Sequence, residues 1–165
     1  MTLEELIDRL RRFGDVQLGH GPRHPAAPDP ALAPEIDAFL DRYPVLRRDP
    51  GYVAFLERYS GLYLSRDEDA LALSIFGFDT DVALHIVEGE GDLLIADFLP
   101  FAHAVVPLRA GSFNPHDPGV AYAFDIGGSL LAGVYCNVKD HEFELCAPSF
   151  LDWLEQLDRL EGNWL

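Results

Sequence analysis

The side chains that could do chemistry are few and scattered. The 165-residue chain has six histidines, His20, His24, His85, His103, His116 and His141, and two cysteines, Cys136 and Cys146. A zinc site needs three or four such groups to converge. The closest set, Cys136, His141 and Cys146, has the spacing of no zinc motif. Cys136 also falls on the inward side of an alternating strand, where a thiol packs as a small hydrophobe. Neither cysteine has a base beside it in sequence, and no Gly-x-Ser-x-Gly elbow offers a serine nucleophile. Gly127-Gly128-Ser129 is followed by no phosphate-loop lysine and reads as a turn. The carboxylate pairs Asp79/Asp81 and Glu88/Glu90 lack the ligand series of a calcium loop and the context of a glycosidase. The expectation is a non-enzymatic protein without catalytic, cofactor-binding or metal-ligating residues. A small hydrolase would require a histidine and carboxylate cluster that only folding could assemble.

Charge points further. Acidic residues number 28 against 12 basic, a formal net charge of −16. That surface repels nucleic acid and anionic membrane and attracts a basic protein. The acidic candidates for contact with such a partner are Asp67, Glu68, Asp69, Asp79, Asp81, Glu88, Glu90, Asp92, Asp140 and Glu142, with Glu144 beside them. All sit at strand ends and turns. If the sheet gathers those turns at one end, they form a focused patch that steers a cation-rich partner. If not, they only keep the chain soluble. The sequence leaves both open. Two cysteines suit a reducing cytosol, and the N-terminus carries neither a basic n-region nor an apolar h-region, so a cytoplasmic location is expected.

The elements that must position these residues follow from periodicity. Thr2 and Glu5 form a capping box ahead of a stripe of Leu3, Leu6, Ile7, Leu10 and Phe13, with Gly14 as the stop. Residues 15–34 read as a Pro/Gly-rich connector. Pro34 opens a helix bearing Ile36, Phe39, Leu40 and Tyr43. Asp49-Pro50 opens another with Tyr52, Val53, Phe55, Leu56 and Tyr59, and Gly61 is its expected C′ residue. Short strands follow at 62–64, 72–78, 82–87, 93–98 and 104–108, with a loop at 109–119. Val120, Tyr122, Phe124 and Ile126 alternate on one side of a strand. After Gly127-Gly128-Ser129 a second strand runs over 130–138, and a third over 142–146 points Phe143 and Leu145 inward. Ser149 then caps a last helix with Phe150, Trp153, Leu154, Leu157 and Leu160 on one stripe. Helices, then strands, then a helix give an α+β fold. We expect one domain over 1–165, with a mostly antiparallel sheet of about six strands carrying the C-terminal amphipathic helix.

Two blocks carry a resemblance. Pro50 to Gly61 (PGYVAFLERYSG) resembles an early helix ending in a small residue plus glycine before the first strand. The aromatic strand at 120–126, the glycine turn, the strand reaching Val134-Tyr135 and the Ser149-Phe150-Leu151-Asp152-Trp153-Leu154 helix resemble the closing half of the same family. That family is the SUKH superfamily, which includes yeast cell-wall regulators and bacterial immunity proteins, and the resemblance covers roughly residues 34–160. It implies a helix-backed sheet, no catalytic residues, and a cytosolic binding role, most often neutralising a toxin. Such a partner would be a basic toxin, a nuclease for example. An intracellular regulatory or scaffold module of the same fold is the alternative. No residue is fixed across the family, so no site residue carries over.

Overall fold

Short polar residues set the helix starts. In the computed structural model, which describes residues 1–19, 29–76, 98–106, 119–139 and 142–164, the Thr2 hydroxyl accepts from the Glu5 amide at 3.2 Å. The Glu5 carboxylate accepts from the Thr2 amide at 2.7 Å, closing the capping box of α1 (Leu3–Leu10). α2 (Ala33–Arg42) has Pro34 in its first turn and gives way at Pro44 to a 3-10 turn, Pro44–Arg48. α3 (Pro50–Tyr59) is capped by Asp49 and α4 (Phe150–Arg159) by Ser149. Among the described residues no helix is long and apolar enough to cross a membrane.

The strands β1 (Asp15–Leu18), β2 (Leu62–Ser65), β3 (Ala72–Ile75), β4 (Phe98–Val105), β5 (Gly119–Asp125), β6 (Val134–Lys139) and β7 (Glu142–Ala147) lie side by side in chain order. Every neighbouring pair is antiparallel. The fold is α+β as expected, with seven described strands rather than about six. The helices and one face of the sheet share a core. At its centre Phe101 stacks on Phe124 at 4.4 Å and meets the Trp153 ring edge-on at 5.0 Å, while Tyr52 lies 4.8 Å from Phe124 and 5.3 Å from Phe150. Tyr122, directly over Trp153 at 4.9 Å, closes the cluster. Burial pushes the Tyr52 and Tyr122 hydroxyls far above the ordinary tyrosine range.

Several expectations need correction. Residues 15–18 are not connector but β1, which pairs with β2 from Asp15↔Ser65 to Leu18↔Leu62. Gly14 does not cap α1, which ends at Leu10; a Cβ there would lie 2.4 Å from the Ser65 carbonyl oxygen, so glycine admits the close approach of β2. Gly61 follows the C-cap Ser60 and so holds the expected C′ place, but Ser60 takes the positive φ (60°), in a tight turn closed by the Gly61 amide on the Tyr59 carbonyl at 2.7 Å. Residues 98–105, from the end of the strand expected at 93–98 to the start of the one expected at 104–108, form one strand, β4, which runs through Pro100. Its register shifts between Pro100 and Ala102, and this bulge removes the need for a proline N–H in the ladder. Phe101 is the extra residue, and the bulge turns it into the core, where it is buried.

The strand expected over 130–138 starts only at Val134. Phe143 and Leu145 do not point inward. They share the face of Tyr135, opposite the helices, and Leu145 is 44% exposed. The expected strand at 82–87, most of 93–98, the loop at 109–118, His20, His24, His85, His116 and His141 lie outside the described residues.

Candidate functional site

The loop between β5 and β6 displays leucines that a strand would have hidden. Asp125 ends β5 and is buried, 8% exposed. Its Oδ1 accepts from the Gly127 amide at 3.0 Å and its Oδ2 from the Leu130 amide at 2.9 Å. A side chain that satisfies two loop amides competes with the ladder and pulls the chain out of the hairpin. Further on, the Tyr135 hydroxyl donates to the Leu131 carbonyl at 2.7 Å. Gly133 sits at φ 153°, and a Cβ there would lie 2.5 Å from the Ala147 carbonyl oxygen and 2.6 Å from Leu145 Cδ1. Tied at both ends, the loop leaves Leu130 52% and Leu131 75% exposed. Exposure held by this many polar contacts is a built feature rather than fraying.

The apolar surface continues onto the sheet. Tyr135 pairs with Leu145, and on the same face Phe98 stacks on Phe143 at 4.8 Å and meets Tyr135 edge-on at 5.2 Å. Phe98, Tyr135, Phe143 and Leu145 thus run together toward β7, the last strand in the sheet order, with Tyr135 buried and Leu145 the most exposed of them. On the helix side of β7 the alternate positions are Glu144, exposed and paired with Cys136, and Cys146. The edge strand therefore carries carboxylates on one face and apolar side chains on the other.

A small cleft of about 100 Å³ opens on the other side of the loop, lined by Arg48, Asp49, Phe124, Asp125, Leu131 and Ser149 among others. The amino ends of α3 and α4 meet there, and helix amino ends attract anions. The chain fills that role itself. Asp49 Oδ1 accepts from the Tyr52 amide at 3.0 Å and Oδ2 from the Phe150 amide at 2.7 Å, so one carboxylate caps both helices. Ser149 Oγ takes the Asp152 amide at 3.2 Å. The cleft is closed to a second anion by its own acid.

The acidic candidates divide. Asp67, Glu68 and Asp69 are exposed in the β2–β3 turn, and Glu142 begins β7. The register puts both at the same end of the sheet. Four strand spacings between β3 and β7 nevertheless separate them by roughly 20 Å. That is about two Debye lengths at physiological salt, so the two groups act as separate fields. Asp69 is internally engaged. It takes a bidentate pair from Arg66 (2.8 and 2.5 Å) and the Leu71 amide, and the Arg66 contact holds its carboxyl down at about 2. Asp67 and Glu68 remain outward. Asp79, Asp81, Glu88, Glu90, Asp92 and Asp140 lie outside the described residues. Sequence reasoning missed the Leu130–Leu131 display, although two adjacent leucines after Gly-Gly-Ser break the period of two and were a usable signal.

The cysteines could pair only if their strands adjoined, and β6 and β7 do adjoin. A hydrogen bond from Cys146 lowers the Cys136 thiol to about 7 against the cost of burial, and the same bond with burial raises Cys146. Among the described residues, no three His, Cys, Asp or Glu side chains converge where they could hold a metal ion. No family model matches the chain, and no curated protein or solved structure matches it significantly.

Proposed function

We propose that this chain is a non-enzymatic binding protein for a basic protein partner, acting as an immunity protein that occludes a toxin in the cytoplasm. The observation that carries the proposal is the tied loop presenting Leu130 and Leu131, with Leu145 exposed on the edge strand, on a chain of net charge −16. Apolar anchors rimmed by charge are how protein interfaces combine grip with steering. The order of elements, and a Ser149-Phe150 helix start with Phe150 fully buried, support the resemblance to the SUKH superfamily. For a nuclease partner, carboxylates would take the places that the toxin's cations keep for phosphates.

The experiment is co-expression with any basic toxin found encoded beside this chain's gene, followed by co-purification. Rescue of growth together with a stoichiometric complex is expected. Growth arrest without a complex would contradict the proposal.

A further inference from the structure

The edge of β7 adds a feature that loop exposure alone does not. β7 reads Glu142-Phe143-Glu144-Leu145, and its alternation sorts carboxylates to the helix side and apolar side chains to the other. Among the described residues no strand lies on its outer side. Such an edge carries a row of backbone donors and acceptors ready to pair. Glutamates on an edge discourage self-association, which accounts for Glu142 and Glu144. They do not account for Leu145, 44% exposed, which the β5–β6 loop approaches at Gly133.

We propose that β7 extends its sheet by taking up an extended segment of the partner in which basic and apolar residues alternate. This rests on the binding-protein reading above and names how the partner docks. Main-chain bonds along β7 supply affinity, and the alternate side chains supply specificity. The basic residues fall beside Glu142 and Glu144. The apolar residues fall on the opposite face, extending the surface of Phe143 and Leu145. A second copy of this chain fits worse. In a twofold antiparallel pairing residues meet others of the same face, so registers centred on Glu144 or Phe143 set Glu144 against Glu144 or Glu142. Like charges directly opposite destabilise a ladder.

The probe is a synthetic peptide alternating arginine and valine, matched to the six residues of β7. Two further versions carry N-methyl groups on one or the other alternate set of amides. Charge is the same in all three, but each methylated set removes the donors of one peptide edge. Saturable binding is expected for the parent and for one methylated version only, with slowed amide exchange across residues 142–147. Glu142→Gln with Glu144→Gln should weaken binding about tenfold or more while leaving the melting temperature near that of the parent protein. Equal binding by all three peptides, or no protection of β7, overturns the proposal. So does the absence of saturable binding, or a protein dimer whose β7 amides are protected before peptide is added. If the neighbouring toxin binds while the peptides fail, edge docking alone is wrong. If neither binds, the binding-protein reading falls with it.

Discussion

Asp49 joins two helices through one carboxylate, and removing it should cost more than a single cap. Asp49→Ala strips the Tyr52 amide of its acceptor at 3.0 Å, a loss of about 1 kcal/mol for an ordinary N-cap. It also strands the Phe150 amide, now bonded at 2.7 Å at the start of a fully buried residue. An amide left without a partner costs about 1–3 kcal/mol. The sum is about 2–4 kcal/mol, which in a chain of this size lowers the melting temperature by about 5–15 °C. Asp49→Asn keeps one oxygen for two amides and should lose about half as much. Ser149→Ala removes the cap on the Asp152 amide and the exposed hydroxyl bond to the Asp152 carboxylate, and should cost about 1 kcal/mol. Urea titration with circular dichroism on the three variants is the assay. An Asp49→Ala variant within about 0.5 kcal/mol of the parent, or an Asp49→Asn variant equal to it, would refute the shared cap.

Trp153→Ala should destabilise by about 3–5 kcal/mol, because the ring is fully buried between Phe101, Tyr122 and Phe150; an unchanged melt would place that helix wrongly. Burial works to raise the Asp158 carboxyl, but Arg9 and Arg12 outweigh it and hold it below the ordinary value. A depressed folded value contributes stability that is complete above about 3.9, the unfolded value, and is lost as pH falls through the folded one. The stability gap between the parent and Asp158→Asn should therefore be open near neutrality and close in strong acid; a gap independent of pH would contradict the pairing. Near neutral pH, iodoacetamide should modify Cys136 ahead of Cys146, checked by peptide mass mapping, since only Cys136 is lowered to about 7.

Local chemistry was readable, and long-range chemistry was not. Thr2 with Glu5, Asp49-Pro50 and Ser149 announced three helices, because a cap is written within four residues. That Asp49 would reach 101 positions along the chain to Phe150 is written nowhere locally. Asp15-Val16-Gln17-Leu18 is too short to declare itself a strand, and it becomes one only because β2 supplies a partner. Pro100 reads as a breaker until the bulge that accommodates it is seen. Phe143 and Leu145 read as inward because they are the apolar alternates, but the register sets both on the face of Tyr135. Tyr135 pairs with Leu145 but Val134 with Ala147, so Cys146 is an extra residue. Residues 145 and 147 share a parity yet face opposite sides. Of the candidate site, the total charge was legible and its placement was not, since only the register puts 67–69 and 142 at one end and on opposite sides of the sheet.

The central claim is that an acidic surface draws in a basic partner which apolar contacts then hold. The direct measurement is association and dissociation of a basic toxin found to bind this chain, across a salt series in which the Debye length falls from about 10 Å at 0.1 M to about 3 Å at 1 M. The association rate should fall steeply with salt, and more gently for Asp67→Asn with Glu68→Gln if that turn faces the partner, while the dissociation rate changes little. Leu131→Ser should do the reverse, quickening dissociation and sparing association. An association rate indifferent to salt, or a dissociation rate indifferent to Leu131, would contradict the account.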